Sequence, residues 1–168
     1  MNKFLKSIYK EILILIILSH FSFYMPHGLT IDSESNIWLT DVAMHQVFKY
    51  NFRKSQSPLL TLGEAFHKGD DQTHFCKPTS IAVSQLTLDI FVADGYCNRY
   101  KKSFQHLFYN KTLYTSLFFF NRRIVQFTKN GTFVKEFKDF DQPMIVVHSI
   151  ALIEEKNLVC TVSREEGR

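Results

Sequence analysis

Two histidines stand at matching places in this chain. His27 lies at the head of "PHGLTI" (26–31) and His148 at the head of "VHSIAL" (147–152), and both runs read as strands. If the runs are equivalent strands facing a shared centre, their imidazoles can bind a zinc ion with a third ligand from elsewhere, leaving a position open for substrate. Tyr96, in "DGYCN", and Arg164, in "SREEGR", are the other reactive candidates. A phenol beside a metal and an arginine can have its pKa lowered enough to act as a base. A guanidinium can stabilise an alkoxide or hold a carboxylate. Each type also has an ordinary use, as a surface histidine, a packed tyrosine or a solvated arginine. What positions them decides.

From Met25 onward helical periodicity is nearly absent. Short β-branched and aromatic runs alternate with turn residues: "LTID", "IWLTD", "HQVFKYN", then "SIAV", "IFVAD" and "RIVQFTKNGTFVKEF". Asn130-Gly131 is expected to close the last of these as a tight two-residue hairpin with positive backbone angles. The segments repeat. "PHGLTI" matches "PTSIAV" (78–83) and "VHSIAL", and each is followed by a turn and an apolar strand, two of which end in Asp41 and Asp94. Units of this kind at about 40–60 residue spacing are β-propeller blades, which bury their faces by stacking on neighbours. The fold class expected is all-β, an incomplete β-propeller of two to three blades.

The match extends to particular strings. "MPHGLTID…WLTDVAMHQVFKY", "FCKPTSIAV…FVADGYCN", "RIVQFTKNGTFVKEF" and "HSIALI…REEGR" resemble peptidyl-α-hydroxyglycine α-amidating lyase, the second catalytic domain of the peptide-amidating enzymes and a six-bladed propeller of NHL type. The resemblance covers 25–168 with one interruption. It implies that His27 and His148 are zinc ligands, that Tyr96 and Arg164 are catalytic, and that the Leu29 carbonyl helps hold a structural calcium. It also implies a Cys76–Cys97 disulfide, worth about 3 kcal/mol by loop closure, and makes Cys160 half of a second one. His20, His45, His67, His74 and His106 match no ligand position and are expected at the surface.

The implied reaction cleaves a peptide ending in α-hydroxyglycine to a peptide amide and glyoxylate. The hydroxyl, acidified by zinc, yields its proton to the tyrosine and the C–N bond breaks. A copper monooxygenase would supply the substrate, and the setting would be secreted or within a secretory vesicle. The competing class is a non-enzymatic NHL propeller that binds peptide or protein, which predicts no metal and tolerance of Tyr96→Phe.

Bulk properties agree with a globular protein: 168 residues, 45% apolar and 21% charged. The net charge of +4 is mild and dispersed, which argues against nucleic acid. Residues 1–24 carry lysines before the apolar run 12–18, as a signal peptide, a weak anchor or a gene-model artefact would. Membrane contact is expected only through that leader. Between "DGYCN" and "RIVQF" an insertion at about 100–122, rich in Phe, Tyr, Lys and Asn, breaks the repeat. It reads as a retained intron or a gene-model error, the alternative being a real, extended surface loop. Fewer than six blades would leave sheet edges uncovered, so the chain as written is expected to be inactive and poorly soluble. Asn110-Lys-Thr and Asn130-Gly-Thr are glycosylation sequons.

Overall fold

Alternating side chains make the first blade a four-stranded antiparallel sheet. It comprises β1 (Pro26–Ile31), β2 (Ile37–Asp41), β3 (Gln46–Tyr50) and β4 (Leu60–Leu62), in that spatial order. The computed structural model describes residues 23–51, 53, 57–100, 104–108, 111–115, 118–138 and 147–163, with backbone alone for 96–100, 104–108, 111–115, 118–122 and 163. Trp38, Val47 and Leu62 point to one face of the blade, while Ile37, Leu39, Phe48 and Tyr50 are buried on the other, the period-2 split that a pleated sheet imposes.

The second blade is built from β5 (Pro78–Val83), β6 (Ile90–Tyr100), β9 (Phe118–Phe127) and β10 (Phe133–Phe137), ordered β10-β9-β6-β5. Both of its faces are covered. Ile81, Val83, Ile90, Val92, Val125 and Phe127 pack with Trp38, Val47 and Leu62 of the first blade, and Ala82, Ala93 and Ile124 pack with Val147 and Ile150. The latter two belong to β11 (Val147–Ile153), which a 3-10 turn at Glu154–Lys156 joins to β12 (Leu158–Ser163) as an antiparallel pair. Two four-stranded blades and one further hairpin form a partial β-propeller. Small residues Ala82 and Ala93 let that hairpin approach closely, whereas the face toward the first blade is filled by larger branched and aromatic groups.

The interruption is itself drawn as strands. β6 and β9 stay paired beyond Asp94–Arg123 as far as Tyr100–Phe118, and β7 (Phe104–Phe108) pairs with β8 (Lys111–Thr115). Ile124 pairs with Ala93 as Val47 pairs with Thr40, so the second repeat resumes where the sequence match places it. The leader lies outside the described residues, apart from Phe23 and Tyr24. Among the described residues no helix is long and apolar enough to cross a membrane.

One local expectation is corrected. The hairpin at Asn130-Gly131 is not a two-residue turn, because only Gly131 takes a positive φ, of 84°. Gly131 N–H donates to Thr128 O at 2.9 Å and Thr128 N–H to Thr132 O at 2.8 Å. These bonds define a three-residue loop, a type I turn followed by a left-handed glycine. Gly131 packs against Leu60 and Leu62 of the first blade, where an added Cβ would sit 2.9 Å from Leu62.

Candidate functional site

Equivalent positions on the three innermost strands are His27 in β1, Thr79 in β5 and His148 in β11. The fold brings all three together at one end of the sheets. The imidazole centres of His27 and His148 are 5.1 Å apart, with the rings inclined at 72°. His27 Nδ1 lies 2.7 Å from the Thr79 carbonyl. A carbonyl only accepts, so Nδ1 carries the hydrogen and Nε2 keeps the lone pair of the neutral ring. His148 Nδ1 is 3.2 Å from Ser149 Oγ.

Thr79 links the two histidine strands. Its side chain is buried, and its hydroxyl lies within bonding distance of two carbonyls, Ala93 at 3.2 Å and Val147 at 3.3 Å. Thus its carbonyl orients His27 while its hydroxyl reaches the residue before His148. Close approach of the strands depends on glycines. A Cβ on Gly28 would lie 2.8 Å from Thr79 O, and one on Gly95 only 2.1 Å from Val147 O. Gly28 N–H also donates to Thr40 Oγ1 at 2.8 Å.

Tyr96 follows Gly95 within the irregular step of β6 between Asp94 and Cys97. Its backbone therefore stands beside the strand that carries His148; its side chain lies outside the description, as does all of Arg164. Leu29 of β1 pairs with Leu39 of β2 and its side chain is exposed. Among the described residues no group of three or more His, Cys, Asp or Glu is arranged to hold a metal. The histidine pair nevertheless fits half a zinc site. Zn–N bonds of about 2.0–2.1 Å at a tetrahedral angle put two ring centres about 5 Å apart, and a carbonyl that accepts from Nδ1–H is the usual way to present Nε2.

Two surface expectations are corrected. His45 is half-buried in the turn before β3, at φ 61°, and its Nδ1 donates to the Cys76 carbonyl across the blade boundary. His74 is also half-buried, bonded through Nδ1 to Asp71 at 2.9 Å and through Nε2 to Glu64 at 3.3 Å. Hydrogen bonding to Asp71, then to Glu64, raises the His74 pKa, and a bond to His74 is the largest cause lowering that of Glu64. His67 is exposed as expected, 3.2 Å from Glu64. His20 and His106 fall outside the described side chains.

Sequence reasoning missed Thr79 and Arg123. Thr79 is signalled by its place in the repeat, third member of the set that includes both histidines. Arg123 is fully buried and donates through Nε to Asp94 at 3.0 Å, through Nη1 to Asp71 O at 2.8 Å and through Nη2 to His74 O. Burial pushes the Asp94 carboxyl upward, opposed by Arg123 and by the N–H groups of Cys76 and Lys77. No spacing rule in the chain pointed to that arginine.

Fold and repeat define a partial β-propeller, and a family model described as NHL repeat matches residues 23–50. The lyase resemblance is borne out more widely. The chain is 40% identical over 151 residues to the nematode Caenorhabditis elegans probable peptidyl-alpha-hydroxyglycine alpha-amidating lyase, covering 87% of this chain and 36% of that protein. It is 42% identical over 151 residues to peptidyl-alpha-hydroxyglycine alpha-amidating lyase 2 of Drosophila melanogaster, covering 87% and 30%. With mouse peptidyl-glycine alpha-amidating monooxygenase the identity is 40% over 153 residues, covering 87% and 13%. The chain therefore spans about an eighth to about a third of the length of these curated relatives.

Proposed function

We propose that this chain is part of a zinc-dependent peptidyl-α-hydroxyglycine lyase acting in peptide amidation. The observation that carries the reading is the approach of His27 and His148 to 5.1 Å, with His27 held in the Nε2-presenting tautomer by the Thr79 carbonyl. The names of its relatives support the reaction class. Zinc bound at this pair would polarise the hydroxyl of the substrate. Tyr96, beside the His148 strand, takes the hydroxyl proton as the C=O bond of glyoxylate forms and the C–N bond breaks. The departing nitrogen gains a proton and becomes the peptide amide. Arg164 binds the substrate carboxylate or stabilises the alkoxide.

The remaining assignments belong to the same reading. Leu29 O contributes to a structural calcium site. Cys76 pairs with Cys97, supported by Cys76 being disulfide-bonded and Cys160 a free, exposed thiol. The protein works in an oxidising, secretory compartment on hydroxylated peptides delivered by a copper monooxygenase.

The test measures glyoxylate released from a peptide ending in α-hydroxyglycine, together with zinc bound per chain, by the complete lyase of which this chain is proposed to be part. His27→Ala and His148→Ala are expected to lower zinc affinity at least about tenfold. Tyr96→Phe should retain zinc and lose turnover by about 10²–10⁴. A wild-type protein that binds no zinc, with Tyr96→Phe indistinguishable from it, would make the propeller a binding module instead.

A further inference from the structure

The two sequons differ in what the fold says about them. Asn110 lies outside the described residues. Asn130 and Thr132 are both exposed on the β9–β10 loop, with Gly131 between them turned toward Leu60 and Leu62. An Asn before Gly in a hairpin ordinarily serves the turn by accepting positive φ. Here it does not, since among the described non-glycine residues positive φ occurs at Ser35, His45, Phe66, Leu88 and Asn157 only. The loop is closed by backbone bonds of Thr128 and Gly131 and by Thr132 N–H to Thr128 Oγ1 at 3.2 Å. None of these needs the Asn130 carboxamide. By contrast Asn36 and Asn51 are buried and bonded to one another at 2.8 Å, and Asn157 supplies a left-handed backbone after the 3-10 turn.

Strand register also fixes which end of the blade carries the loop. Phe127 pairs with Ile90 and Ile90 with Val83, whereas the Thr79 end of β5 lies where Pro78 pairs with Asp94 and Asp94 with Arg123. The sequon and the histidine pair are thus at opposite ends of the sheets. A bulky hydrophilic group on Asn130 would project into solvent without obstructing the site.

We propose that Asn130 is an N-glycosylation site. The inference rests on the secretory reading above, because the reaction needs a lipid-diphosphate-linked oligosaccharide and a lumenal oligosaccharyltransferase. In that step Asn130 Nδ2 forms a bond to the anomeric carbon, the anomeric C–O bond to the diphosphate breaks, the amide loses one proton, and the polyprenyl diphosphate leaves. Thr132 provides the hydroxyl that the sequon requires.

The experiment translates the full chain, with Asn110→Gln, into endoplasmic-reticulum microsomes, with and without an appended cleavable signal peptide. Only protease-protected product is scored. The signal-bearing chain should carry one glycan, removable by amidase, that is lost in Asn130→Gln and Thr132→Ala and kept in Thr132→Ser. A protected chain without glycan, a glycan that persists in Asn130→Gln, or conversion of Asn130 to aspartate without carbohydrate would each overturn the site. Glycan in the signal-bearing arm alone supports the site while counting against the secretory reading of the natural chain.

Discussion

The two complete blades solve one problem with different residues. Each carries in its second strand a buried aspartate that accepts the N–H groups leading into the first strand. Asp41 takes those of Tyr24 and Met25, and Asp94 those of Cys76 and Lys77, at 2.7–3.1 Å. In the first blade the chain turns at once, and Asp41 also accepts from Ala43 and Met44 at 2.9 Å. In the second blade β6 runs on past Asp94, and Arg123 stands where Gln46 stands in the first. Its guanidinium meets Asp94 and ties down the carbonyls of the loop between blades. A staple made of local amides has become an ion pair that holds a distant segment. What replaces the tight turn is therefore a charge buried in the blade, and charge is the costlier thing to leave alone.

That contrast gives the largest expected effect. Arg123→Met should lower the unfolding free energy by about 3–5 kcal/mol, because Asp94 stays buried without its guanidinium. Gln46→Met at the matching place loses one bond, from Nε2 to Gly63 O at 3.1 Å, and should cost about 1 kcal/mol. Urea titration of both variants checks the difference; equal losses would mean that the ion pair adds nothing to the staple.

The residue after each aspartate sharpens the comparison. Val42 is buried and its N–H donates to Met25 O at 3.0 Å, so the first blade accepts a branched side chain there. Gly95 has β11 packed on it. Gly95→Ala should cost about 1–3 kcal/mol through overpacking and push His148 away from His27, seen as weakened zinc binding. Val42→Ala, a truncation, should leave zinc binding unchanged.

Much of this was readable beforehand, and the limits are physical. The three-fold match of "PHGLTI", "PTSIAV" and "VHSIAL" gave the inner strands, because a repeated pattern must occupy repeated places. His27 and His148 followed from it. The aspartates were visible as a recurrence, but their partners were not, since a buried carboxylate can be satisfied by any nearby donor and Arg123 reaches it across an interruption. Nor could His45 or His74 be told from surface residues. Their partners are a carbonyl and carboxylates on loops whose path only the packed blades determine.

Thr79 is the smaller test of how the blades hold the site. Thr79→Val keeps the shape but removes the hydroxyl from two buried carbonyls, for an expected loss of about 1–2 kcal/mol. Thr79→Ser should recover most of it. The His27 tautomer, read from imidazole nitrogen shifts by NMR, should persist in both variants, since the backbone carbonyl sets it.

The smallest effect concerns the loop that Arg123 holds. His74 gains Asp71 and Glu64 on folding, which raises its pKa above the ordinary 6.5. Its contribution to stability is then fully present below pH 6.5 and fades as pH rises through the raised value. Asp71 has the opposite sign. Hydrogen bonding from the Thr73 backbone, followed by the bond with His74, lowers its pKa from 3.8, so its contribution is present above pH 3.8 and lost as pH falls through the lowered value. Between about pH 4 and 6.5 both act together. Amide exchange in the loop 63–77, corrected for intrinsic rates, should show more protection at pH 6 than at pH 9, and His74→Gln should remove most of that difference. The first blade, whose aspartate is held by amides that do not titrate, should show no matching change at Ala43 and Met44. A pH response of equal size in both blades would place its origin outside this cluster.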